Sequence, residues 1–357
     1  MAARSEITRW LAPALLALPA LAAAADDGAD SDDLAQLLAQ PVYGNTRIAG
    51  ASKYDQDTAD APGMAYVRTG GEIRAQGYRS LAEVLDSLPG THARGDRSYS
   101  YTGVRGISRP GDYSSRLLLL IDGVRVNEAI YDSATGGAEF PLDVGLIDRV
   151  EYIPGPGSVL YGSNAVMGVV NIVTRHASHL PGLNARFTLG SGEERGLAFT
   201  WGGQLGPARV LLGAAHQAAR GNDRLYFAEY DSPATNGGIA QGRDGGRGDK
   251  LFAKARWDDF TLSAQWSERS KDDPTASFGA LFNTHSVSTD RFAFANLSYA
   301  RPVGDSHEVF ARVGLAHYRY DGFALYEGSS VPVPAASIGA ATWASGELRY
   351  VWSGWDG

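Results

Sequence analysis

Cysteine is absent from the 357-residue sequence, which excludes both a disulfide framework and a thiolate metal site. Basic residues are outnumbered by acidic ones, 32 against 40, and the formal net charge is -8. A nucleic-acid partner would favour a basic face, so this charge argues against one. Glycine and the aromatic residues are plentiful instead, and they favour tight turns and strands over helical bundles.

The motifs of common enzyme classes are also missing. The sequence has no G-x-S-x-G elbow, no H-E-x-x-H, no Walker loop and no EF-hand pattern. The segment 155–157 is not a dinucleotide loop, because a proline separates its glycines and no βαβ unit follows. His176 and His179 have a spacing that could bind a metal, but two histidines in a linker are more often solvated. We therefore predict no catalytic residue, no metal site and no cofactor.

Long hydrophobic runs are absent except at the N-terminus. Residues 1–25 carry two basic residues, then the apolar run 10–21, then small residues, which is the order of a secretory signal peptide. The alternative is a membrane anchor, but the run is shorter than the roughly 20 residues that a spanning helix needs. Two prolines also interrupt it. We predict a signal peptide over 1–25, followed by an acidic leader over 26–51.

Residues 52–175 are predicted to form a small α+β domain. Thr69 and Ser80 each precede a glutamate by three positions, the capping-box pattern that begins a helix. Asp122-Gly123 follows an apolar run and predicts a hairpin turn. Runs of apolar and β-branched residues predict strands over 65–68, 102–105, 117–121, 149–153 and 169–174.

Residues 183–357 are predicted to form antiparallel strands of a transmembrane β-barrel. Around Leu262, apolar residues alternate with polar ones, but a single strand cannot distinguish a core face from a lipid face. The connections after the first hairpin are alternately short and long, as in outer-membrane barrels. The predicted strands are 183–190, 195–204, 208–219, 250–258, 260–269, 290–302, 307–320 and 342–352.

The number of predicted strands is too small for a complete plugged barrel. About eight strands enclose only their own side chains, whereas a plugged lumen goes with about 22 strands. The last residues, 353–357, lack the C-terminal aromatic residue by which barrel proteins are recognised for assembly. We expect an incomplete barrel, from either a fragment or a truncated gene product.

Six motifs between residues 80 and 174 resemble the plug domain of TonB-dependent receptors, in the family's order and spacing. They are SLAEVLDSLPG at 80–90, VRG at 104–106, LLIDG at 119–123, IDRVE at 147–151, GPGSVLYGSNA at 155–165 and GVVNIVT at 168–174. The resemblance covers residues 52–174. It implies a receptor of the bacterial outer membrane that imports a scarce nutrient, most often a ferric siderophore, or alternatively cobalamin.

The resemblance also implies a partner, TonB, with its inner-membrane energising complex. TonB would pair with an extended segment near the mature N-terminus by β-augmentation. The candidate segment departs from the family's usual acidic-Thr-hydrophobic-Val pattern. It comprises Thr46, Arg47, Ile48, Ala49 and Gly50.

Ligand contacts are expected from the plug apex and the extracellular loops. Arginines and tyrosines there suit an anionic, catecholate-rich iron chelate, although ordinary solvated loop residues are the alternative. The apex residues are Arg94, Arg97, Tyr99, Tyr101, Arg109, Tyr113 and Tyr131, and the loop residues include Arg224, Tyr226, Tyr230 and Arg243.

The plug motifs also contain residues with structural roles. Charged strand residues would join the plug to a polar barrel lumen, which calls for ion pairs rather than apolar contacts, or would pair within the plug. The glycines allow tight turns and close backbone approach. These residues are Arg105, Asp122, Gly123, Arg149, Glu151, Gly155, Gly157, Tyr161 and Gly162. Two functional classes remain open, an active transporter and a truncated receptor that only binds or docks.

Overall fold

The computed structural model describes residues 47–48, 56–57, 64–108, 112–304 and 306–352. The predicted signal peptide and Arg109 lie outside these ranges, as does nearly all of the predicted leader. Within the ranges, no helix has both the length and the apolar composition that crossing a membrane requires.

The first elements are short. β1 (Arg47–Ile48) pairs antiparallel with β2 (Gln56–Asp57). β3 (Tyr66–Thr69) leads directly into helix α1 (Gly70–Ala75), and α2 (Leu81–Asp86) follows.

The two predicted helix caps differ in detail. At Thr69 the capping box is complete, because Thr69 and Glu72 each accept a hydrogen bond from the other's backbone N–H. At Ser80 only half of it forms. The Ser80 hydroxyl accepts from the Glu83 N–H, but the Glu83 carboxylate accepts from the N–H of Arg79, at 2.8 Å, rather than from that of Ser80.

The α+β domain is completed by one mixed sheet and one hairpin. The sheet order is β3, β8 (Ile147–Pro154), β9 (Gly168–Thr174), β6 (Leu117–Ile121) and β7 (Val124–Arg125). Strands β6 and β9 are parallel, and the other neighbouring pairs are antiparallel. Asp122 and Gly123 have φ values of 48° and 76°, so the predicted turn forms a two-residue hairpin between β6 and β7. The elements are β4 (Thr91–Gly95), β5 (Ser100–Val104), β6 (Leu117–Ile121), β7 (Val124–Arg125), β8 (Ile147–Pro154), α3 (Ser158–Tyr161) and β9 (Gly168–Thr174).

The remaining chain forms an eight-stranded antiparallel meander in which each strand pairs with the next. This confirms the predicted fold class of an α+β domain followed by strands of an unclosed barrel. The strands are β10 (Gly182–Gly190), β11 (Glu194–Leu205), β12 (Ala208–Ala219), β15 (Gly246–Trp257), β16 (Phe260–Asp272), β17 (Val287–Val303), β18 (His307–Tyr326) and β19 (Val333–Trp352).

Two features of the meander were not predicted. A separate hairpin of β13 (Arg224–Tyr226) and β14 (Ile239–Gln241) stands within the long connection 220–245. β19 begins at Val333 rather than at 342, and it pairs with β18 as far as Tyr326. Both strands therefore run beyond the 9–11 residues that cross a bilayer and extend into the loop region.

The two faces of the meander differ in polarity. Large apolar side chains such as Leu183, Phe187 and Leu189 project outward and are exposed. Ser263 and Gln265 lie on the inner face and are buried against the α+β domain. Because the apolar side chains point away from the domain, this face is a lipid face rather than a core face.

The α+β domain and the meander share a hydrophobic core. We call the eight-stranded meander the wall. Leu146 and Ile147 belong to the same buried cluster as Leu211, Phe252 and Phe292 of the wall. The interface therefore contains apolar contacts that the sequence analysis did not expect, in addition to the expected ion pairs. Apolar packing is possible because Gly213 lets Leu146 approach closely, as a Cβ at that position would lie 2.9 Å from Leu146 Cδ1.

Ion pairs surround this apolar contact. Asp122 forms an ion pair with Lys254, with 3.1 Å between carboxylate oxygen and Nζ. Asp143 forms one with Arg186, with 2.7 Å between carboxylate oxygen and guanidinium nitrogen. Arg79 meets Glu194 at 2.7 Å. Each pair joins the domain to the wall across a long sequence separation, so the spacing of residues in the sequence gives no sign of it.

Asp122 carries the most buried of these pairs. Its carboxylate accepts hydrogen bonds from the Thr174 backbone and hydroxyl, and Lys254 is only 7% exposed. Burial alone would raise the pKa of Asp122, but Lys254 and the Thr174 hydrogen bonds outweigh it and lower the pKa. The Arg312 guanidinium also donates to the Asp122 carbonyl at 2.9 Å. Asp122 therefore fastens the domain to β15 and β18.

We predict that Lys254→Met destabilises the folded chain in lipid vesicles. The loss should be on the order of 2 kcal/mol, less than for a fully buried pair because Asp122 keeps some contact with solvent. The measurement is urea unfolding followed by tryptophan fluorescence. Arg220→Met is the matched control, because the Arg220–Glu193 pair is exposed on both sides, and it should change stability by less than about 1 kcal/mol. Equal losses of unfolding free energy in the two variants would contradict the claim that the Asp122–Lys254 pair stabilises the contact between the domain and the wall.

Candidate functional site

The two ends of the meander differ in their connections. The long connections 220–245, 273–286 and 327–332 leave it at one end, and the short turns 206–207 and 258–259 lie at the other. In outer-membrane barrels the long loops are extracellular. The candidate site lies at this long-loop end, between the α+β domain and the wall.

The site is a cavity of about 370 Å³, which we call the tyrosine pocket. Aromatic and acidic side chains dominate its lining. The aromatic residues are Tyr99, Tyr101, Tyr113, Tyr131, Tyr318, Tyr320, Tyr326, Phe278 and Phe323, and the acidic residues are Asp96, Glu128, Glu139 and Asp273.

Carboxylates hold the loops that carry the tyrosines. Asp96 closes the turn between β4 and β5 by accepting from the N–H groups of Ser98 and Tyr99, and it also accepts from the Tyr101 hydroxyl at 2.7 Å. Glu128 accepts from three backbone N–H groups, one of them that of Tyr131. The loop carrying Tyr131 is therefore ordered before any ligand arrives.

Two tyrosines form a flat aromatic surface in the pocket. The Tyr113 and Tyr131 rings stack with their centroids 4.6 Å apart and their planes within 8°. A planar ligand could lie against such a surface.

A polar network from the wall supports the pocket. The Tyr99 hydroxyl donates to Asp290 at 3.1 Å, and Tyr318 donates to the same carboxylate at 2.6 Å. Arg269 pairs with Asp290 at 2.8 Å, lies 4.8 Å above the Tyr99 ring, and donates to the Ser98 carbonyl. The network fixes Tyr99 in both position and orientation.

Tyr99, Tyr101 and Tyr113 stay neutral phenols at physiological pH. Burial raises the pKa of Tyr99, and the Asp290 charge raises it further. Burial and the Asp96 hydrogen bond do the same for Tyr101, and burial raises the pKa of Tyr113. These hydroxyls therefore act as hydrogen-bond donors and acceptors rather than as phenolate ligands.

Among the described residues, the predicted apex arginines Arg94 and Arg97 do not line the pocket. Arg97 turns away and pairs with Asp244 at 3.2 Å, and Arg94 is exposed on β4. Of the loop residues, Arg224 and Tyr226 lie on the β13–β14 hairpin, and Tyr230 stacks on Phe282 at 4.3 Å. Arg243 is half-buried in the long connection. Of the six predicted apex residues that the structure describes, the four tyrosines line the pocket, whereas Arg94 and Arg97 do not, and Arg109 lies outside the described residues.

Sequence reasoning missed Phe278, which lies at the mouth of the pocket. Its side chain is 86% exposed, and its φ of 55° lies in the left-handed region that a bulky residue rarely adopts. Asp273 holds the loop by accepting from the Thr275 and Ser277 N–H groups. The only signal in the sequence is an aromatic residue within a long connection.

A second cavity, of about 540 Å³, lies between the domain and strands β10 to β16, and we call it the basic chamber. Its cations are mostly paired, Arg186 with Asp143, and Lys271 with Asp244. Lys250 donates to the Leu142 carbonyl at 3.4 Å. The cations of this region therefore lie outside the tyrosine pocket.

The other plug residues hold the domain together. Arg149 pairs with Glu151 at 2.8 Å, and Glu151 accepts from Asn171, so these contacts lie within the domain. Arg105 lies in a turn just after β5, with a φ of 53°, rather than within a strand. Tyr161, on α3, packs against the cluster that contains Leu118.

The three glycines serve turns and close packing. Gly155 and Gly162 have positive φ, whereas a Cβ at Gly157 would lie 2.9 Å from Val169 Cγ2. In the predicted TonB segment, Arg47 and Ile48 form β1, and Thr46, Ala49 and Gly50 lie outside the described residues.

The two histidines of the linker meet each other and an aspartate. Their rings are 5.6 Å apart, edge to face, and His179 Nδ1 lies 3.0 Å from Asp148. Burial and the nearby Lys254 lower the pKa of His176 from 6.5 to about 4. No group of three or more metal-ligating side chains occurs in the part of the chain that the structure describes.

Comparison with known proteins agrees with this architecture. Residues 57–169 match the family model described as the TonB-dependent receptor plug domain. A vitamin B12 transporter of Vibrio vulnificus is 37% identical over 164 residues, which cover 44% of this chain and 25% of that protein. The chain thus spans about a quarter of this curated relative's length.

Solved structures share the fold. The ferric enterobactin receptor of Pseudomonas aeruginosa matches 85% of this chain and 48% of its own, at 17% identity and a TM-score of 0.60. The ferric-catecholate import receptor of E. coli K12 matches 87% and 48%, at 14% identity and a TM-score of 0.56. Identities this low show the fold alone.

Residues 57–169 thus match the plug domain of TonB-dependent receptors, and the strands that follow share the fold of the receptor barrels in the solved structures. The chain is an outer-membrane protein, and its relatives are transporters and receptors rather than enzymes.

We predict that His176 titrates near pH 4 rather than near 6.5. Because its pKa is lowered on folding, its contribution to stability is complete above pH 6.5 and is lost as the pH falls towards 4. The Cε1–H signal, assigned with His176→Asn and followed by NMR, measures the pKa directly. Lys254→Met should raise it, since one of the two main causes is removed. A midpoint near 6.5 in the unmodified chain would refute the burial of this ring.

Proposed function

We propose that this chain is the ligand-capturing part of a receptor for energy-coupled uptake across the outer membrane, and that it binds a metal chelate in the tyrosine pocket. The carrying observation is the pocket itself. It gathers Tyr99, Tyr101, Tyr113 and Tyr131 of the plug at the end where the long loops leave the barrel. A concave aromatic site with a few fixed polar groups is typical of small-molecule binding.

Two chelate classes are candidates. The sequence favoured a ferric siderophore, and the similar solved structures include receptors named for ferric enterobactin and pyoverdine. The relative from Vibrio vulnificus is named for vitamin B12. Both classes need a site that holds a ligand at the outer surface until the plug moves.

TonB is the partner that we propose for this movement. The segment 46–50 would offer a strand edge for β-augmentation. Since β1 and β2 pair over only two residues, TonB could either add to the free edge of β1 or displace β2. A pull there would be transmitted to β3 and the plug sheet.

Transport also requires a closed wall. In the described residues the meander ends in two edges, β10 and β19. Each presents unpaired backbone groups, so further strands must pair with them before a pore exists.

We predict that Tyr113→Ala weakens chelate binding to the receptor in outer-membrane vesicles by about tenfold, because half of the stacked surface is lost. The probes are vitamin B12 and the ferric tris-catecholate complex, and the measurement is equilibrium binding. Tyr226→Ala is the control, since Tyr226 is 61% exposed on a loop outside the pocket.

Uptake by intact cells is the second arm. It should stop when TonB is absent, while binding remains. Binding that is unaffected by Tyr113→Ala, or uptake that is independent of TonB, would contradict the proposed function.

A further inference from the structure

The charged side chains in the described lining of the tyrosine pocket are all acidic. Four carboxylates line it, those of Asp96, Glu128, Glu139 and Asp273, and no lysine or arginine occurs among the lining residues that the structure describes. This differs from the expectation that arginines would accompany the tyrosines.

Hydrogen bonds hold these carboxylates without neutralising them. Glu139 accepts from the Ser100 and Gly137 N–H groups, and Asp273 accepts from those of Thr275 and Ser277. These donors are uncharged amides, so they place no positive charge beside the carboxylates. The carboxylates are also rigidly placed, because each one closes a loop.

The nearby cations face other acids. Arg97 pairs with Asp244, and Arg269 pairs with the buried Asp290 beneath Tyr99. Redirecting Arg269 towards a ligand would leave the buried Asp290 without its cationic partner, which is costly. Asp244 is shared between Arg97 and Lys271. Lys250 and Lys271 line the basic chamber rather than the pocket.

The aromatic residues of the pocket also favour a neutral or cationic ligand over an anionic one. The neutral phenols of Tyr99, Tyr101 and Tyr113 donate and accept hydrogen bonds, and the Tyr113–Tyr131 stack offers a flat face. Phe278 exposes another ring at the entrance. Aromatic faces attract cations and planar groups, and they give no compensation to an anion.

We infer that the tyrosine pocket accepts a neutral or cationic chelate with planar and amide-like surfaces and discriminates against anionic chelates. This inference rests on the proposed function, namely that the pocket is the chelate site. Its discrimination arises from like-charge repulsion, which suppresses a wrong partner more than it strengthens the right one.

The test compares two probes on the full chain in outer-membrane vesicles. Vitamin B12 is the neutral probe, and the ferric tris-catecholate complex is the anionic probe. We expect vitamin B12 to bind at least about tenfold more tightly. Raising the salt concentration should strengthen binding of the anionic probe and leave that of vitamin B12 unchanged, because salt screens the repulsion.

Charge-neutral variants test the cause. Glu128→Gln with Asp273→Asn keeps one accepting oxygen in each side chain for the backbone N–H groups and removes two charges. It should raise the affinity for the anionic probe relative to that for vitamin B12 by about tenfold, and this ratio is the readout, since a purely structural effect would change both affinities together. Asp231→Asn is the control, since Asp231 accepts from Tyr226 outside the pocket. Resistance to protease digestion checks that each variant is folded.

The outcomes separate the two claims. If Tyr113→Ala weakens both probes but the anionic one binds as tightly as vitamin B12 and ignores the charge-neutral variant, the inference about charge is wrong and the proposed site stands. If neither probe binds, or if Tyr113→Ala affects neither, the proposed site itself is wrong, and the inference falls with it.

Discussion

The contact between the plug and the wall is the constraint on which the rest of the structure depends. It is apolar at its centre, where Leu146 meets Gly213 and buried phenylalanines of the wall, and charged around that centre. Apolar packing is non-directional, whereas ion pairs such as Asp122–Lys254 set one position. A plug joined in this way has one defined position against the wall. Under the proposed pull by TonB, its charged contacts would exchange for contacts with water.

This arrangement also decides where charge is available for ligands. Cations of the wall and plug apex form ion pairs with acids. In these pairs, Arg97 and Arg269 do not line the tyrosine pocket. The acids that close the apex loops remain in the pocket lining. One region is therefore acidic and aromatic, and the neighbouring basic chamber holds the cations. Under the proposed function, ligand selectivity would depend on the contacts that fasten the plug as well as on the residue types present.

The sequence predicted the fold well because strand alternation and turn signals are local. The strand 117–121 and the turn at Asp122-Gly123 were correct to the residue. It predicted that tyrosines would line a site at the apex but not that Arg94 and Arg97 would lie outside that site. Arg97 and Asp244 are 147 positions apart, and no local pattern shows such a pair. The exposed Phe278 depends on a left-handed backbone that only the folded loop reveals.

The central claim is that the tyrosine pocket faces the outside and binds the chelate. Because the chain has no cysteine, a single Tyr113→Cys substitution gives one unique label site. The measurement is labelling of intact cells with a membrane-impermeant maleimide, with and without vitamin B12. The account predicts labelling from outside that the ligand slows. Absence of labelling in a folded receptor, or labelling that no chelate affects, would contradict it.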